Sequence, residues 1–284
     1  MNNIIESFKN AMRDAGITPP DVIIADGHLH RFKNDQGKLT GWYKLYVDGI
    51  AAGAFGDWKL GIKERWKMAG TFKKLTDAEK QDFAIECHRQ KLIRQDEEKA
   101  RHETAIQKAA YIWSRSTSIT NHQYLINKQV KAHNVRCYRG SLVVPLYDET
   151  GLLVSLQFIN ADGSKKMMKG GKAQGACCFI GDAIDLTRND TILICEGWAT
   201  GASLFEATGH FTIVAFSAGN LTAVALSTRK HHQANEIIIC GDNDASGVGQ
   251  IAARAAALAI NGKYILPDTE GQDFNDSLNG EVLV

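Results

Sequence analysis

Residues 191–201, TILICEGWATG, run from an apolar segment into one acid, Glu196, which is followed by glycine and tryptophan. From there to residue 268, continuous apolar segments alternate with segments of helical periodicity. This alternation predicts an α/β fold with a parallel sheet that helices cover on both faces. The predicted strands are TILICEG (191–197), FTIVAFSAG (211–219), EIIICGDND (236–244) and GKYILPD (262–268), and the predicted helices are WATGASLFEATG (198–209), NLTAVALSTRK (220–230) and ASGVGQIAARAAALAI (245–260).

Two of these strands end in acidic residues. Ligands of open parallel sheets bind outside the carboxyl ends of the strands, and Glu196 stands at such an end. Asp242 and Asp244 follow another strand, and their spacing of two places both side chains on one face of an extended segment. If the strands are neighbours, the three carboxylates raise one another's pKa unless a cation lies between them. Such oxygen ligands favour Mg²⁺ or Mn²⁺, so the pattern predicts a divalent metal site.

A further acidic motif, DFND, follows at residues 273–276. Asp273 and Asp276 are candidates for an additional ligand or for a second sphere around the predicted metal. Taken alone, an Asp-Asn-Asp sequence such as 242–244 more often forms a turn or a helix cap. Two acidic strand ends in one α/β unit, each followed by glycine and a helix, favour the metal interpretation instead.

A basic glycine-rich segment, SKKMMKGGKAQGACCFIG, occupies residues 164–181, upstream of the acidic strand ends. Glycine lets a ligand approach the backbone closely, and lysine neutralises phosphate. The segment therefore suits either a polyphosphate or a nucleic-acid backbone, and a plain basic loop is an equal alternative. Its candidate binding residues are Lys165, Lys166, Lys169 and Lys172.

Residues 21–67 read as short strands, beginning with DVIIADG, and are rich in both basic and aromatic residues. Basic groups beside aromatic rings suit single-stranded nucleic acid, because bases stack on the rings while phosphates meet the cations. The alternative is that the aromatics form the core of a small β domain whose lysines are solvated. A charged stretch without glycine or proline follows, from Asp77 to Ser114, and predicts one long helix or two helices joined by a kink.

Composition bounds the class of protein. The chain has 284 residues, a formal net charge of +1, 44% hydrophobic and 23% charged residues, which is typical of globular proteins. We expect a cytoplasmic location and no membrane partner, because no apolar run approaches the roughly 20 residues that span a bilayer. The six cysteines form no CxxC pair, so we predict no zinc site.

The acidic motifs resemble a known family. The Glu-Gly pair at 196–197 and the Asp-Asn-Asp at 242–244 are similar to the two signature motifs of the Toprim domain of DnaG-type primases, topoisomerases and certain nucleases. EGWATG is similar to the EGYATG motif of primases from satellite phages and conjugative plasmids, with Trp198 in place of tyrosine. Residues 124–181 resemble the basic subdomain that precedes the Toprim domain in the primase core, so the resemblance covers about 119–284.

The resemblance implies a Rossmann-like Toprim sheet preceded by a basic α+β subdomain. It implies that Glu196, Asp242 and Asp244 are the metal and catalytic set, and that Lys166 and Lys169 contact phosphate, with Arg139 and Gly197 as further binding residues. One departure is Thr200, which stands where replicative bacterial primases carry a further acid. The implied segments are a β-rich domain that is a candidate template-binding unit (1–70), a helical linker (76–116), the basic subdomain (117–190) and the Toprim domain (191–284).

The function that these features favour is a mobile-element primase, a nucleotidyltransferase that makes short RNA primers on single-stranded DNA from ribonucleoside triphosphates. A replicative helicase is a candidate partner. A metal-dependent Toprim nuclease is the first alternative, because the same acids can direct water at a phosphodiester. A non-catalytic nucleic-acid-binding replication module is the second alternative.

Overall fold

The computed structural model describes residues 2–47, 50–58, 60–68, 77–182 and 190–279. The chain divides into two compact units, Met1–Glu97 and Glu98–Val284. The predicted boundary between the β-rich domain and the helical linker, at residues 70–76, lies outside the described residues.

The N-terminal unit packs one helix against one face of a four-stranded antiparallel sheet with the order β1-β2-β3-β4. Phe8 of the helix meets the rings of Tyr43, Phe55 and Trp66 edge to face. Residues 21–27 are not a strand as predicted, since the backbone amide of Ile24 donates to the Tyr43 hydroxyl instead of to a neighbouring strand. The elements are α1 (Asn2–Asp14), β1 (His30–Phe32), β2 (Gly41–Tyr46), β3 (Ala52–Asp57) and β4 (Ile62–Lys67).

The predicted long helix is present as α2 (Asp77–Arg115). Its last third is amphipathic, and Ala105, Ala109 and Ile112 are buried against the following sheet. That sheet is antiparallel, in the order β5-β6-β7-β8-β9. Its elements are β5 (Thr117–Ser118), α3 (Gln123–Lys128), β6 (Arg136–Tyr138), β7 (Ser141–Tyr147), β8 (Leu153–Ile159) and β9 (Lys165–Met167).

The C-terminal sheet has the order β10-β12-β11-β13-β14, and its last four members are parallel, as predicted. The sequence did not predict the edge strand Cys178–Ile180, which belongs to the basic segment and pairs antiparallel with Thr212–Val214. The elements are β10 (Cys178–Ile180), β11 (Thr191–Cys195), α4 (Trp198–Thr208), β12 (Thr212–Val214), α5 (Ala218–His231), β13 (Glu236–Cys240), α6 (Val248–Ala259), β14 (Lys263–Ile265) and α7 (Phe274–Asn279).

The parallel sheet is covered on both faces. On one face α5 and α6 bury Leu221 and Ala253 against the β11 and β13 side chains. On the other face a single core joins Trp198 of α4 to Tyr124 of α3 and Val144 of β7. The basic subdomain and the Toprim-like sheet therefore share one apolar core. Among the described residues, no helix is long and apolar enough to span a bilayer.

Candidate active site at the carboxyl edge of the parallel sheet

Glu196 and Asp242 leave neighbouring strands at the same sheet edge. In the parallel pairing of β11 with β13, Cys195 lies opposite Cys240, so Glu196 follows directly and Asp242 follows by two residues. The two acidic strands are therefore neighbours, which is the condition under which Glu196 joins Asp242 and Asp244. Both strands are short and apolar, so the acids come where the buried segment ends.

Glu196 lies in an unfavourable environment for a carboxylate. Burial raises the pKa of Glu196 to about 8, and the negative charge of Asp242 adds to the rise. The backbone amide of Ala218, at the start of α5, donates to Glu196 and partly opposes this effect. At neutral pH the free carboxyl of Glu196 is therefore largely protonated.

Asp242 lies in the same acidic cluster. Burial raises the pKa of Asp242 to about 6; Asp273 and Asp244 add to the rise, and Lys165 opposes it. Its Oδ1 atom is buried and has no hydrogen-bond partner among the residues that the structure describes. A buried carboxylate oxygen without a donor is costly, so Asp242 is suited to receive a cation.

Asp244 is held in a fixed position by the turn into α6. Although burial opposes ionisation, hydrogen bonds from Ser246 and from the amide of Gly249 lower the pKa of Asp244. The Gly249 amide donates to Oδ2 at 2.8 Å. A side chain at position 249 would come within 2.8 Å of the same oxygen, so this contact requires glycine. Asp244 is consequently ionised beside two acids that resist ionisation.

Asn243 forms hydrogen bonds with neighbouring segments of the protein. Its Nδ2 donates to the carbonyl of Pro267 at 2.9 Å, and its Oδ1 accepts from Gln250. Its backbone amide also donates to Gln272. These bonds tie the strand end to the 267–272 loop, which leads into the DFND motif.

In the DFND motif Asp273 and Asp276 have different surroundings. Asp273 Oδ1 accepts the amides of Asn275 and Asp276 at the start of α7, and its Oδ2 accepts from Thr200 at 3.2 Å. Asp276 is half exposed, with its Oδ1 3.2 Å from Lys128 Nζ. Asp273 acts more strongly than Asp276 on the Asp242 carboxyl. Asp273 thus caps α7, and Asp276 stays a prediction as a metal ligand.

Of the predicted basic residues, Lys165 lies nearest to the acids. It begins β9 opposite Ile159, and its ammonium lies 5.9 Å from the centre of the Tyr124 ring. Crowding by protein atoms lowers the pKa of Lys165, although the charges of Asp273 and Asp242 oppose this effect. The basic subdomain therefore presents one ammonium group to the acidic sheet edge.

The other predicted basic residues lie elsewhere on the subdomain. Lys166 occupies the next strand position, opposite Phe158, and its charge acts on Asp162. The charge of Lys172 acts on Asp148. Lys169 is exposed. Arg139 adopts a positive φ of 50° at the β6–β7 turn and stacks 5.3 Å from the Tyr138 ring centre.

Gly197 begins α4. Its backbone is extended, with φ −93° and ψ 144°, and its carbonyl accepts the amide of Gly201. A Cβ at this position would lie 3.0 Å from Thr200 Oγ1, so the glycine leaves room for the Thr200 hydroxyl that reaches Asp273. Thr200 is thus a hydrogen-bond donor to Asp273 of the acidic cluster.

A polar cavity of about 460 Å³ lies beside Asp276. Lys128 and Tyr124 line it, and so does the turn at Gly163. The Tyr124 hydroxyl is buried without a hydrogen-bond partner in the described part of the chain, and burial raises the pKa of Tyr124 to about 12. Sequence reasoning missed Lys128 and Tyr124, because a lysine and a tyrosine on a short helix carry no signal of a site 70 residues away along the chain.

The acids do not form a closed cage. Among the described residues, no group of three histidine, cysteine or acidic side chains is arranged to hold a metal by itself. Glu196 and Asp242 nevertheless fit a hard cation, since two carboxyls with raised pKa values and one unpartnered oxygen all gain from a positive charge. Mg²⁺ usually takes one or two carboxylates and leaves its other positions to water and substrate phosphates.

Comparison with known proteins supports this assignment of the fold. Residues 191–281 match the Toprim domain family. A DNA primase TraC from Escherichia coli is 31% identical over 279 residues, covering 92% of this chain and 26% of the relative. A second Escherichia coli DNA primase TraC is 33% identical over 283 residues, covering 92% of this chain and 19% of the relative. The chain thus spans about a quarter or less of the length of the curated relatives it matches.

Among solved structures, the primase fragment of the bacteriophage T7 primase-helicase protein aligns with 59% of this chain and 77% of its own chain. The sequence identity is 16% and the TM-score is 0.43. The family match and the paired acidic strand ends agree on the same segment. Residues 191–281 of this chain are similar to the Toprim domain family, and 92% of the chain is similar to DNA primase TraC.

Proposed function

We propose that the chain is the catalytic part of a mobile-element DNA primase, which joins ribonucleotides on a single-stranded DNA template and releases pyrophosphate. The observation that carries the proposal is the meeting of Glu196 and Asp242 at one sheet edge, with Lys165 of the basic subdomain facing them. A nucleotidyl transfer needs this combination, because the acids hold a cation and the lysine meets phosphate. The similarity to DNA primase TraC supports the same reaction.

In the proposed site, Glu196, Asp242 and Asp244 would hold Mg²⁺ or Mn²⁺ together with water and substrate phosphates. When bound, such an ion lowers the pKa of the primer 3'-hydroxyl and stabilises the charge of the leaving pyrophosphate. Asp244 is ionised already because of its hydrogen bonds from Ser246 and Gly249. The chain supplies no side-chain nucleophile, since the primer hydroxyl is the attacking group.

The basic subdomain has a positioning role in this proposal. Lys165 faces the acids and neutralises the triphosphate, while Lys166, Lys169, Lys172 and Arg139 are candidates for contacts with the template and nucleotide backbone. The cavity beside Lys128 is large enough for a nucleoside and is lined by polar groups. A replicative helicase is a proposed partner.

The test is de novo synthesis of labelled oligomers on single-stranded DNA with ribonucleoside triphosphates and Mg²⁺ or Mn²⁺. The wild type is compared with Asp242→Asn plus Asp244→Asn, and the matched control is Asp14→Asn plus Asp96→Asn, two exposed aspartates. We expect the first variant to lose at least about a hundredfold in rate and the control to match the wild type. Equal synthesis by the first variant would show that the catalytic assignment is wrong.

Measurements of strand cleavage, single-strand binding and Mn²⁺ binding separate the alternative functions. Metal-dependent loss of a labelled strand, with no product from nucleotides and template, identifies a nuclease. Retained single-strand binding with neither activity, and no heat of Mn²⁺ binding by calorimetry, identifies a non-catalytic module.

A further inference from the structure

The sheet of the N-terminal unit has two faces of different composition. The face that packs on α1 carries Tyr43, Leu45 and Phe55, all buried. Directly opposed residues of antiparallel strands share a face, so the register assigns the second face without ambiguity. The second face carries Arg31 of β1; Trp42, Lys44 and Tyr46 of β2; Ala52, Ala54 and Gly56 of β3; and Lys63, Arg65 and Lys67 of β4.

This second face, which we call the basic face, holds five cations and no acid among its ten strand residues. Lys63, Arg65 and Lys67 form an exposed row along the edge strand β4. The charge separation is local, because the whole chain has a net charge of only +1. A dense row of cations without counter-charges on its face complements a polyanion.

The strand β3, between β2 and β4, carries only small residues on the basic face. Ala52, Ala54 and Gly56 lie between the β2 row and the β4 row. A Cβ at position 56 would come within 2.9 Å of Trp42 Nε1 and even closer to the Ile62 carbonyl. Ala52 and Ala54 are partly exposed, whereas Gly56 is buried against Trp42, so the small side chains of this face are accessible at positions 52 and 54.

Aromatic rings lie at the Gly56 end of the basic face. Trp42 and Trp58 stack with centroids 5.9 Å apart and an interplanar angle of 26°. The Arg31 guanidinium lies 4.9 Å from the centre of the Trp58 ring. Trp58 remains 47% exposed, although exposure of tryptophan is unfavourable in water. An exposed indole beside cations is a stacking surface for an unpaired base.

We propose that the basic face binds single-stranded DNA, with phosphates on Lys63, Arg65 and Lys67 and a base stacked on Trp58. A duplex fits less well, because its bases are already stacked and cannot cover the indole. That the bound strand is the primase template rests on the proposed function. The binding itself does not, since no residue of this face belongs to the acidic site.

The experiment measures the affinity of the chain for labelled oligothymidylate by fluorescence anisotropy, over a series of salt concentrations. The test variant is Lys63→Gln, Arg65→Gln, Lys67→Gln, and the matched control, with the same charge change, is Lys91→Gln, Lys99→Gln, Lys108→Gln on α2. All six residues are exposed, so the fold is retained.

Each phosphate contact of a single strand contributes about 0.7 to the slope of log K against log salt, so losing three contacts lowers this slope by about 2. Affinity at about 0.1 M salt then falls about a hundredfold in the test variant, while the control stays within about threefold of the wild type. Trp58→Ala is expected to weaken binding about tenfold without changing the slope, and Trp58→Phe to restore most of the loss.

Equal loss in the two triple variants would overturn the proposal, because binding would then depend on net charge alone. Duplex DNA binding as tightly as oligothymidylate would also overturn it. The variant Asp242→Asn plus Asp244→Asn is measured in parallel and should bind the oligomer as the wild type does. Failure of synthesis with intact binding therefore concerns the acidic site, and failure of binding by the triple variant concerns the basic face.

Discussion

The substitution Glu196→Gln should stabilise the metal-free protein at alkaline pH. The pKa of Glu196 rises from 4.5 in the unfolded chain to about 8 in the folded chain. A carboxyl with a raised pKa binds more protons when folded, so stability falls as the pH rises from about 4.5 to about 8. The neutral amide of glutamine has the same shape, can accept the Ala218 hydrogen bond, and does not ionise.

The magnitude follows from the size of the shift. Each pKa unit corresponds to about 1.4 kcal/mol, and partial screening by solvent reduces the full value, which leaves a difference of about 3 kcal/mol at pH 8. At about pH 4.5 the two free energies of unfolding should differ by less than about 0.5 kcal/mol, because Glu196 is protonated in the folded state and about half protonated in the unfolded state.

The assay is urea unfolding in the presence of a chelator at several pH values between about 4.5 and 8, followed by circular dichroism. Glu149→Gln, an exposed glutamate paired with Lys230, serves as the control. Saturating Mn²⁺ should reverse the order, because only the wild type gains the binding free energy of the ion. Parallel pH profiles of wild type and Glu196→Gln without metal would refute the account of this carboxyl.

Three further predictions concern packing and buried polar groups, and each is checked by the free energy of unfolding in urea. Asn220→Ala should destabilise the C-terminal unit by about 3 kcal/mol, because this buried amide donates to three backbone carbonyls and accepts the Gly175 amide. Gly241→Ala should cost about 2 kcal/mol, since its Cβ would lie 2.5 Å from a methyl group of α6, whereas Gly219→Ala, with nothing within 4 Å, should be neutral or stabilising. Asp57→Ala should destabilise the N-terminal unit by about 3 kcal/mol, because this buried carboxylate accepts three hydrogen bonds from a hydroxyl, an amide side chain and a backbone amide.

The alternating pattern of residues 191–268 was sufficient to predict the strands and the helices, whereas the adjacency of the strands that end at Glu196 and Asp242 was known only from the structure. Parallel strands buried on both faces leave long apolar runs, so the signal is strong wherever the sheet is central. The edge strand Cys178–Ile180 was not predicted, because it is three residues long and follows a glycine-rich segment. Its assignment to the sheet depends on pairing with β12, which sequence periodicity does not record.

The sequence also did not predict which of the charged residues interact with the acidic sheet edge. Lys165 and Lys166 are adjacent in the chain, but the period of a strand directs them to opposite faces, and only the fold decides which face meets the acids. Likewise, the charge of Asp273 raises the pKa of Asp242 more than the charge of Asp276 does. Asp273 caps α7, whereas Asp276 pairs with Lys128.

The aromatic residues of the N-terminal unit illustrate the same limit. The two interpretations of residues 21–67, core formation and an exposed aromatic surface, both apply, to different residues. Phe55 enters the core against α1, while Trp58 remains on the other face of the sheet beside Arg31. Alternation along each strand produces this sorting, but the register of four strands had to be known before the basic side chains could be assigned to one face.

The common core of α3, β7 and α4 means that the segment with the family signature and the segment able to fold are different pieces of chain. Cutting at residue 191 would remove β10 and uncover Trp198, a fully buried side chain whose indole donates to the His133 carbonyl. A minimal autonomous fragment must therefore begin well upstream, near residue 98, where the second compact unit starts. Transfer of residues 191–281 into another protein would therefore succeed only if the antiparallel sheet is transferred as well.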